Sequence, residues 1–223
     1  MFDYQENSVL QSEKTISLIE LIQNGGTGGI LIIGILFLLL IIVVYIYFER
    51  IFAIKAASKI DSAFMPEIRT YILGGNIDTA KKLCKSHDNP VSRLLEKGIS
   101  RIGRPLEDIN SALENAGRIE IYKLEKNVSV LATIAGVAPM IGFLGTVIGM
   151  ILSIFEISTA GGNIDMQLLS NGLYTAMTTT VGGLIVGIIA YISYNHLVVK
   201  TNKVVYQMET TSLEFFDLLN EPA

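Results

Sequence analysis

The sequence predicts an all-α membrane protein: three transmembrane helices, long helices that extend into the cytoplasm, and a small helical cytoplasmic segment. Three observations point there. Half of the 223 residues are hydrophobic and only 17% are charged, against roughly a quarter charged in ordinary soluble domains. The charges gather in patches separated by three long stretches that carry none. No stretch shows the period-two alternation bounded by hairpin signals that marks strands.

Residues 1–25 form a polar, acidic opening in which Leu18, Ile19, Leu21 and Ile22 group as in a short interfacial helix on the periplasmic side. A cleavable signal peptide would instead begin with basic residues and a short apolar run. Residues 26–48 are the first span. Its core, Gly29 to Phe48, reads GILIIGILFLLLIIVVYIYF, and ~20 such residues cross a bilayer at about 1.5 Å each. Leu and Ile surround this helix on all sides, as suits a lipid-facing span. Tyr45, Tyr47 and Phe48 close it at belt height, and Glu49 and Arg50 follow as anchors at the inner interface.

Residues 49–125 form the cytoplasmic helical domain. Asp61 and Ser62 cap a helix reaching Leu73, with Gly74–Gly75 as its stop. Asp78 starts a short helix, and Asn89–Pro90 starts another that ends at Gly103. Pro105 suits the first turn of a long helix. Nothing between Pro105 and Pro139 forces a break, so this helix is expected to continue into span two.

Span two covers 126–156, a periplasmic loop 157–167, span three 168–198, and a C-terminal cytoplasmic helix 199–223 with Met208, Leu213, Phe216 and Leu219 at helical spacing. The last two spans differ in kind from the first. Gly142, Gly145, Thr146, Gly149 and Ser153 make one small-residue stripe in span two. Ala176, Thr179, Thr180, Gly183 and Gly187 make another in span three. Gly145/Gly149 and Gly183/Gly187 are GxxxG pairs, the signature of close helix contact in membranes. These two spans therefore face protein. Pro139 leaves the carbonyl near Ala135 without its amide partner and is a candidate kink.

Basic residues set the orientation. Of the 17 Lys and Arg, all but Lys14, Lys200 and Lys203 lie between Glu49 and Lys126. The positive-inside rule puts that segment and the tail in the cytoplasm, and the N-terminus and the Gly161–Gly162 loop outside.

The net charge of −4, with no Lys/Arg run, gives no support to nucleic-acid binding. Cys84 is the single cysteine and forms no internal disulfide; His87 and His196 are too isolated to hold a metal. No phosphate-binding Gly-rich loop or nucleophile elbow is present. The expectation is a non-enzyme without a cofactor. What remains for chemistry is hydroxyl: Thr146, Thr175, Thr178, Thr179 and Thr180. Hydroxyls accept and donate hydrogen bonds but store no charge, whereas a proton path through hydrocarbon needs a group that titrates. With no carboxylate between Met166 and Val199, that group must come from another chain.

Three patterns together resemble the MotA/TolQ/ExbB proton-channel family: QNGGTGG before span one with FER (Phe48, Glu49, Arg50) after it, ATIAGVAPMIGFLGTVIGMI at 132–151, and GLYTAMTTTVGGLIVGIIAYISYN at 172–195. The Tyr-Thr-Ala opening of span three is similar to the form in Bacteroidota-type members. The resemblance implies an ExbB-like subunit of a pentamer whose spans two and three line a central pore. It implies a single-span ExbD- or TolR-like dimer in that pore, carrying a transmembrane Asp, and a TonB- or TolA-like protein energised by rotation. It implies pore roles for Thr146 and Thr180, with Thr175 and Thr179 as neighbours on the proton pathway. Many ExbB and TolQ proteins carry a Glu where this chain has Thr175. A TolQ-type subunit serving envelope maintenance and a non-conducting membrane scaffold are the alternatives. The scale fits a small mechanical step, since a charge crossing 100 mV releases about 2.3 kcal/mol.

Overall fold

The computed structural model describes residues 26–59, 61, 63–159 and 166–220. Residues 1–25, Ser62, the Gly161–Gly162 loop and Asp165 lie outside the described residues, as does the side chain of Glu156. Seven helices account for nearly all of the described chain: α1 (Gly26–Ala57), α2 (Phe64–Leu73), α3 (Ile77–Ser86), α4 (Pro90–Ile99), α5 (Leu106–Glu125), α6 (Val128–Thr159) and α7 (Met166–Asn220). Helices α1, α6 and α7 are each long and apolar enough to cross a membrane. The chain is thus an all-α, multi-pass membrane protein. At 55 residues α7 far exceeds the ~20 needed for a crossing, so the tail after span three continues it as one helix.

Two compact units make up the fold. The first joins the chain up to Leu36 with Pro139–Leu184; the second joins Phe37–Ala138 with Ile185–Ala223.

In the second unit, α2 packs on α3, α3 on α4, and α4 on α5. The short helices are set by their local sequence. Asn89 caps α4: its Oδ1 accepts from the Ser92 amide at 2.8 Å and the Ser92 hydroxyl at 2.9 Å, while Pro90 takes the first turn, where its missing N–H costs nothing. Asp61 Oδ1 accepts from the Ala63 amide just ahead of α2. Gly103 (φ 91°) turns the chain toward α5. The core is apolar side chain against apolar side chain. Val91, Leu95, Ile99, Leu113, Val204 and Phe215 are essentially inaccessible.

The expected unbroken helix from Pro105 into span two is interrupted. Helix α5 ends at Glu125, Lys126 is extended (ψ 130°), and Asn127 takes a left-handed conformation (φ 62°) before α6 begins. One residue at positive φ stops the i→i−4 ladder, and Asn is among the few side chains that tolerate it. The ladder restarts with the Val130 amide on the Asn127 carbonyl at 3.2 Å.

Span one, expected to face lipid, also packs along one side. Ile32 and Leu36 in the first unit, and Val43, Ile46 and Ile54 in the second, are buried. Their spacing near 3.5 marks one packed stripe, while Leu31, Phe37, Leu38, Tyr45 and Phe52 stay exposed. A helix made almost wholly of Leu and Ile gives no polar contrast by which to see that stripe in the sequence.

Candidate functional site

The first unit is built on missing side chains. A Cβ placed on Gly142 of α6 would stand 2.7 Å from the Thr179 carbonyl and 3.0 Å from Gly183 Cα on α7. At Gly145 it would enter the side chain of Thr179, 2.7 Å from that residue's Cβ. At Gly149 it would lie 3.2 Å from the Gly172 carbonyl and 3.3 Å from Ala176 Cβ. Glycines at these positions let two helix backbones touch, and dispersion and hydroxyl bonds replace the large side chains of a water-soluble core. Gly187 is buried on α7 within the second unit.

Close approach brings Thr146 and Thr180 together. Their hydroxyls share a short hydrogen bond. The Thr146 hydroxyl also lies 3.1 Å from the Ala176 carbonyl and 3.4 Å from the Gly142 carbonyl, and the Thr180 hydroxyl lies 3.2 Å from the Gly142 carbonyl. Four oxygens thus surround two protons that can be donated in more than one direction. Both threonines are half-buried, so the cluster is partly open to whatever lies beside it.

The other threonines have different surroundings. Thr179 is fully buried, donates to the Ala176 carbonyl at 2.8 Å and fills the space above Gly145. Thr175 is buried one turn earlier, with its methyl where a Cβ on Gly29 of α1 would have to go, 2.6 Å away. Thr178 donates to the Tyr174 carbonyl at 2.9 Å, the ordinary back-bond of a helical threonine. Thr175 and Thr179 therefore meet protein, whereas the bonded Thr146–Thr180 pair is left partly accessible. Gly29 and Gly172 were not singled out by the sequence pattern. Gly172 accommodates Ser153, whose hydroxyl donates to the Gly149 carbonyl at 2.9 Å.

Helix α6 runs through Pro139 without interruption in its assigned helix. Within that unit no Asp, Glu, Lys, Arg or His occurs in 26–36, 139–155 or 166–184. The cluster can orient and relay a proton but cannot hold its charge.

The second unit holds its polar groups otherwise. Arg50, expected at the bilayer surface, is only 7% exposed. Its guanidinium pairs with Glu49 and donates to the Lys123 carbonyl at 3.3 Å, in the last turn of α5. A cation there satisfies a carbonyl that the helix end leaves unpaired and complements the helix dipole. Glu120 is buried on α5 and accepts from Arg93 of α4 at 2.6 Å and from Lys123 at 2.7 Å. Burial alone would raise its pKa, but the hydrogen bonds from Arg93 and then Lys123, with their charges, hold it below the ordinary value. Arg93 is correspondingly pushed up, first by its bond to Glu120. Burial, with Glu96 nearby, lifts the Cys84 thiol to about 12, so it stays protonated and unreactive at neutral pH.

Residues 86–210 match the MotA/TolQ/ExbB proton channel family. A biopolymer transport protein ExbB homolog of Methanothermobacter thermautotrophicus is 26% identical over 186 residues, 81% of this chain and 63% of that protein. The Tol-Pal system protein TolQ of Haemophilus influenzae is 33% identical over 112 residues, 50% of this chain and 49% of its own length. The biopolymer transport protein ExbB of Aquifex aeolicus is 38% identical over 81 residues, 36% of this chain and 54% of that protein. The chain therefore spans roughly half to two thirds of the length of these relatives.

Proposed function

We propose a function on one premise: this chain belongs to the MotA/TolQ/ExbB proton channel family. It acts as the proton-channel subunit of an inner-membrane motor driven by the proton-motive force. It is of the ExbB type and energises TonB-dependent outer-membrane transport. Five copies surround a pore, and a dimer of a single-span ExbD- or TolR-like protein supplies the titrating Asp. Its amino terminus faces the periplasm and its carboxy terminus the cytoplasm.

One observation carries the reading: two bonded threonine hydroxyls, half-buried, on stretches of α6 and α7 (139–155 and 166–184) whose sequence carries no charge. Such a pair stabilises a visiting carboxyl or water in either protonation state without competing for the proton. No catalytic chemistry and no cofactor are needed for that role. Proton flux through vesicles holding the chain and its co-expressed partner tests it. Thr146→Val together with Thr180→Val keeps the shape and removes both hydroxyls, and flux is expected to fall at least about tenfold, the size of one lost hydrogen bond to a charged group. Unchanged flux would overturn the assignment.

A second reading, a TolQ-type subunit, is supported by the TolQ match. The carboxylate-free third span, with Thr175 where relatives of the resembled type place Glu, favours a third: a scaffold that does not conduct. Flux near zero for the complete wild-type complex would select it.

A further inference from the structure

The break between α5 and α6 opens a cavity of about 580 Å³ in the second unit, a size suited to a small ligand. Its position is set by the sequence. Lys126 is the last charge before the uncharged run of α6, and Val199 is the last residue before Lys200 ends the uncharged run of α7. The cavity lies where both apolar runs stop, next to the Lys/Arg-rich part of the sequence, which is where a bilayer crossed by those runs would present its headgroups. Tyr122 and Tyr194 line it, as interfacial tyrosines would.

Its wall is rich in donors. The first turn of α6, Ser129 included, lines it together with Lys126 from the break before that helix, and the turn contains no acidic residue to neutralise the helix dipole. The first amides of a helix have no intrahelical acceptor and attract anions. A second observation is independent of the helix end. Thr201 of α7 lines the same cavity, is 3% exposed, and its Oγ1 has no hydrogen-bond partner. Thr133, Thr178, Thr210 and Thr211 each donate to the carbonyl four residues back. Thr201 does not, and a buried hydroxyl left without a partner is costly. One carboxylate, Glu125, also lines the wall. It opposes a bare anion but suits a ligand carrying a phosphate and a donor group together.

We propose that this cavity binds a phospholipid headgroup from the leaflet on the basic side: the phosphate at the start of α6 against Lys126, Ser129 and Thr201, and the headgroup's own amine or hydroxyl donating to Glu125. The site is separate from the threonine pair and does not depend on proton conduction.

The full chain, purified with its co-expressed partner in mild detergent, is stripped of lipid and placed in nanodiscs of phosphatidylethanolamine, phosphatidylglycerol or phosphatidylcholine. Native mass spectrometry then counts lipids retained per chain. Ethanolamine and glycerol headgroups are expected to be retained, and choline, which has no donor for Glu125, about tenfold less. Thr201→Val with Lys126→Gln is expected to lower retention of the first two by a similar factor. Asn202→Asp, an exposed substitution on the cavity wall that leaves the core untouched, is expected to do the same by repelling phosphate. Retention that ignores headgroup and all three substitutions overturns the site. Displacement of the lipid by millimolar inorganic phosphate overturns the lipid as its occupant and assigns the cavity to a free anion.

Discussion

An intruding methyl meets different obstacles in the two units. At Gly142 it would meet backbone: the Thr179 carbonyl at 2.7 Å and the Cα atoms of Gly183 and Thr180 at 3.0 and 3.2 Å. At Gly98 in the second unit its three nearest neighbours would all be side-chain atoms, Leu113 Cδ2 at 2.8 Å, Phe215 Cε1 at 2.9 Å and Leu113 Cγ at 3.3 Å. The first unit has no water to drive apolar burial, so contact depends on bringing main chains together and on hydroxyls that bond to carbonyls. The second buries large side chains and pairs its buried charges Arg50 and Glu120 with opposite charges. The lesson is mechanical. A backbone contact has no slack, so the Thr146–Thr180 pair is held by the glycines beneath it. The side-chain core of the second unit can adjust.

That contrast gives the largest effect to the loss of a large side chain in the second unit. Phe215 is fully buried where α4, α5 and α7 meet. Phe215→Ala should cost about 3–5 kcal/mol, read as earlier thermal unfolding by size-exclusion fluorescence of the detergent-solubilised protein. Flux per folded complex should persist, because the threonine cluster belongs to the other unit. A small loss of stability would break the claim that this unit relies on its apolar core.

Next in size is a matched pair of glycines. Gly142→Ala should cost about 1–3 kcal/mol, as overpacking does, and should also lower proton flux by forcing the helices apart at the threonine pair. Gly98→Ala should cost less than about 1 kcal/mol, since Leu113 and Phe215 can shift and alanine favours the helix by about 0.5–1 kcal/mol. The same thermal assay measures both. Equal costs would erase the distinction between backbone and side-chain contact.

Much of this was legible in the residues. Charge-free length located the three spans, and small residues at helical spacing located the α6–α7 contact, because in a membrane the contact is made of the absence of side chains. Asn89–Pro90 announced a helix start by its chemistry. Three things were hidden. The break at Asn127 depends on one residue's φ; Asn is the sole hint, and in a sequence it is equally at home on a helix surface. The burial of Arg50 depends on where α5 ends, which is a tertiary fact. The division among the threonines was hidden by their adjacency: 178, 179 and 180 are consecutive, and only the glycines opposite decide which one packs and which one pairs.

A smaller effect than that of Gly142→Ala is expected at the ion pairs of the second unit. Glu120 is held below its ordinary pKa of 4.5 by Arg93 and Lys123. A carboxylate whose folded pKa is lowered adds stability that is present above its unfolded value and lost as pH falls through the folded one. Arg93 and Lys123 both reach water, so the pair is worth about 1 kcal/mol and not the several of a sealed one. Glu120→Gln should therefore unfold slightly earlier than wild type at neutral pH. The gap should narrow as pH drops below about 4.5, where Glu120 of the unfolded chain takes up its proton first, and close once the folded carboxylate is protonated too. Thermal unfolding of both proteins across that range makes the comparison. A gap that stays constant with pH would mean that Glu120 contributes by shape and that its bonds to Arg93 and Lys123 add nothing through charge.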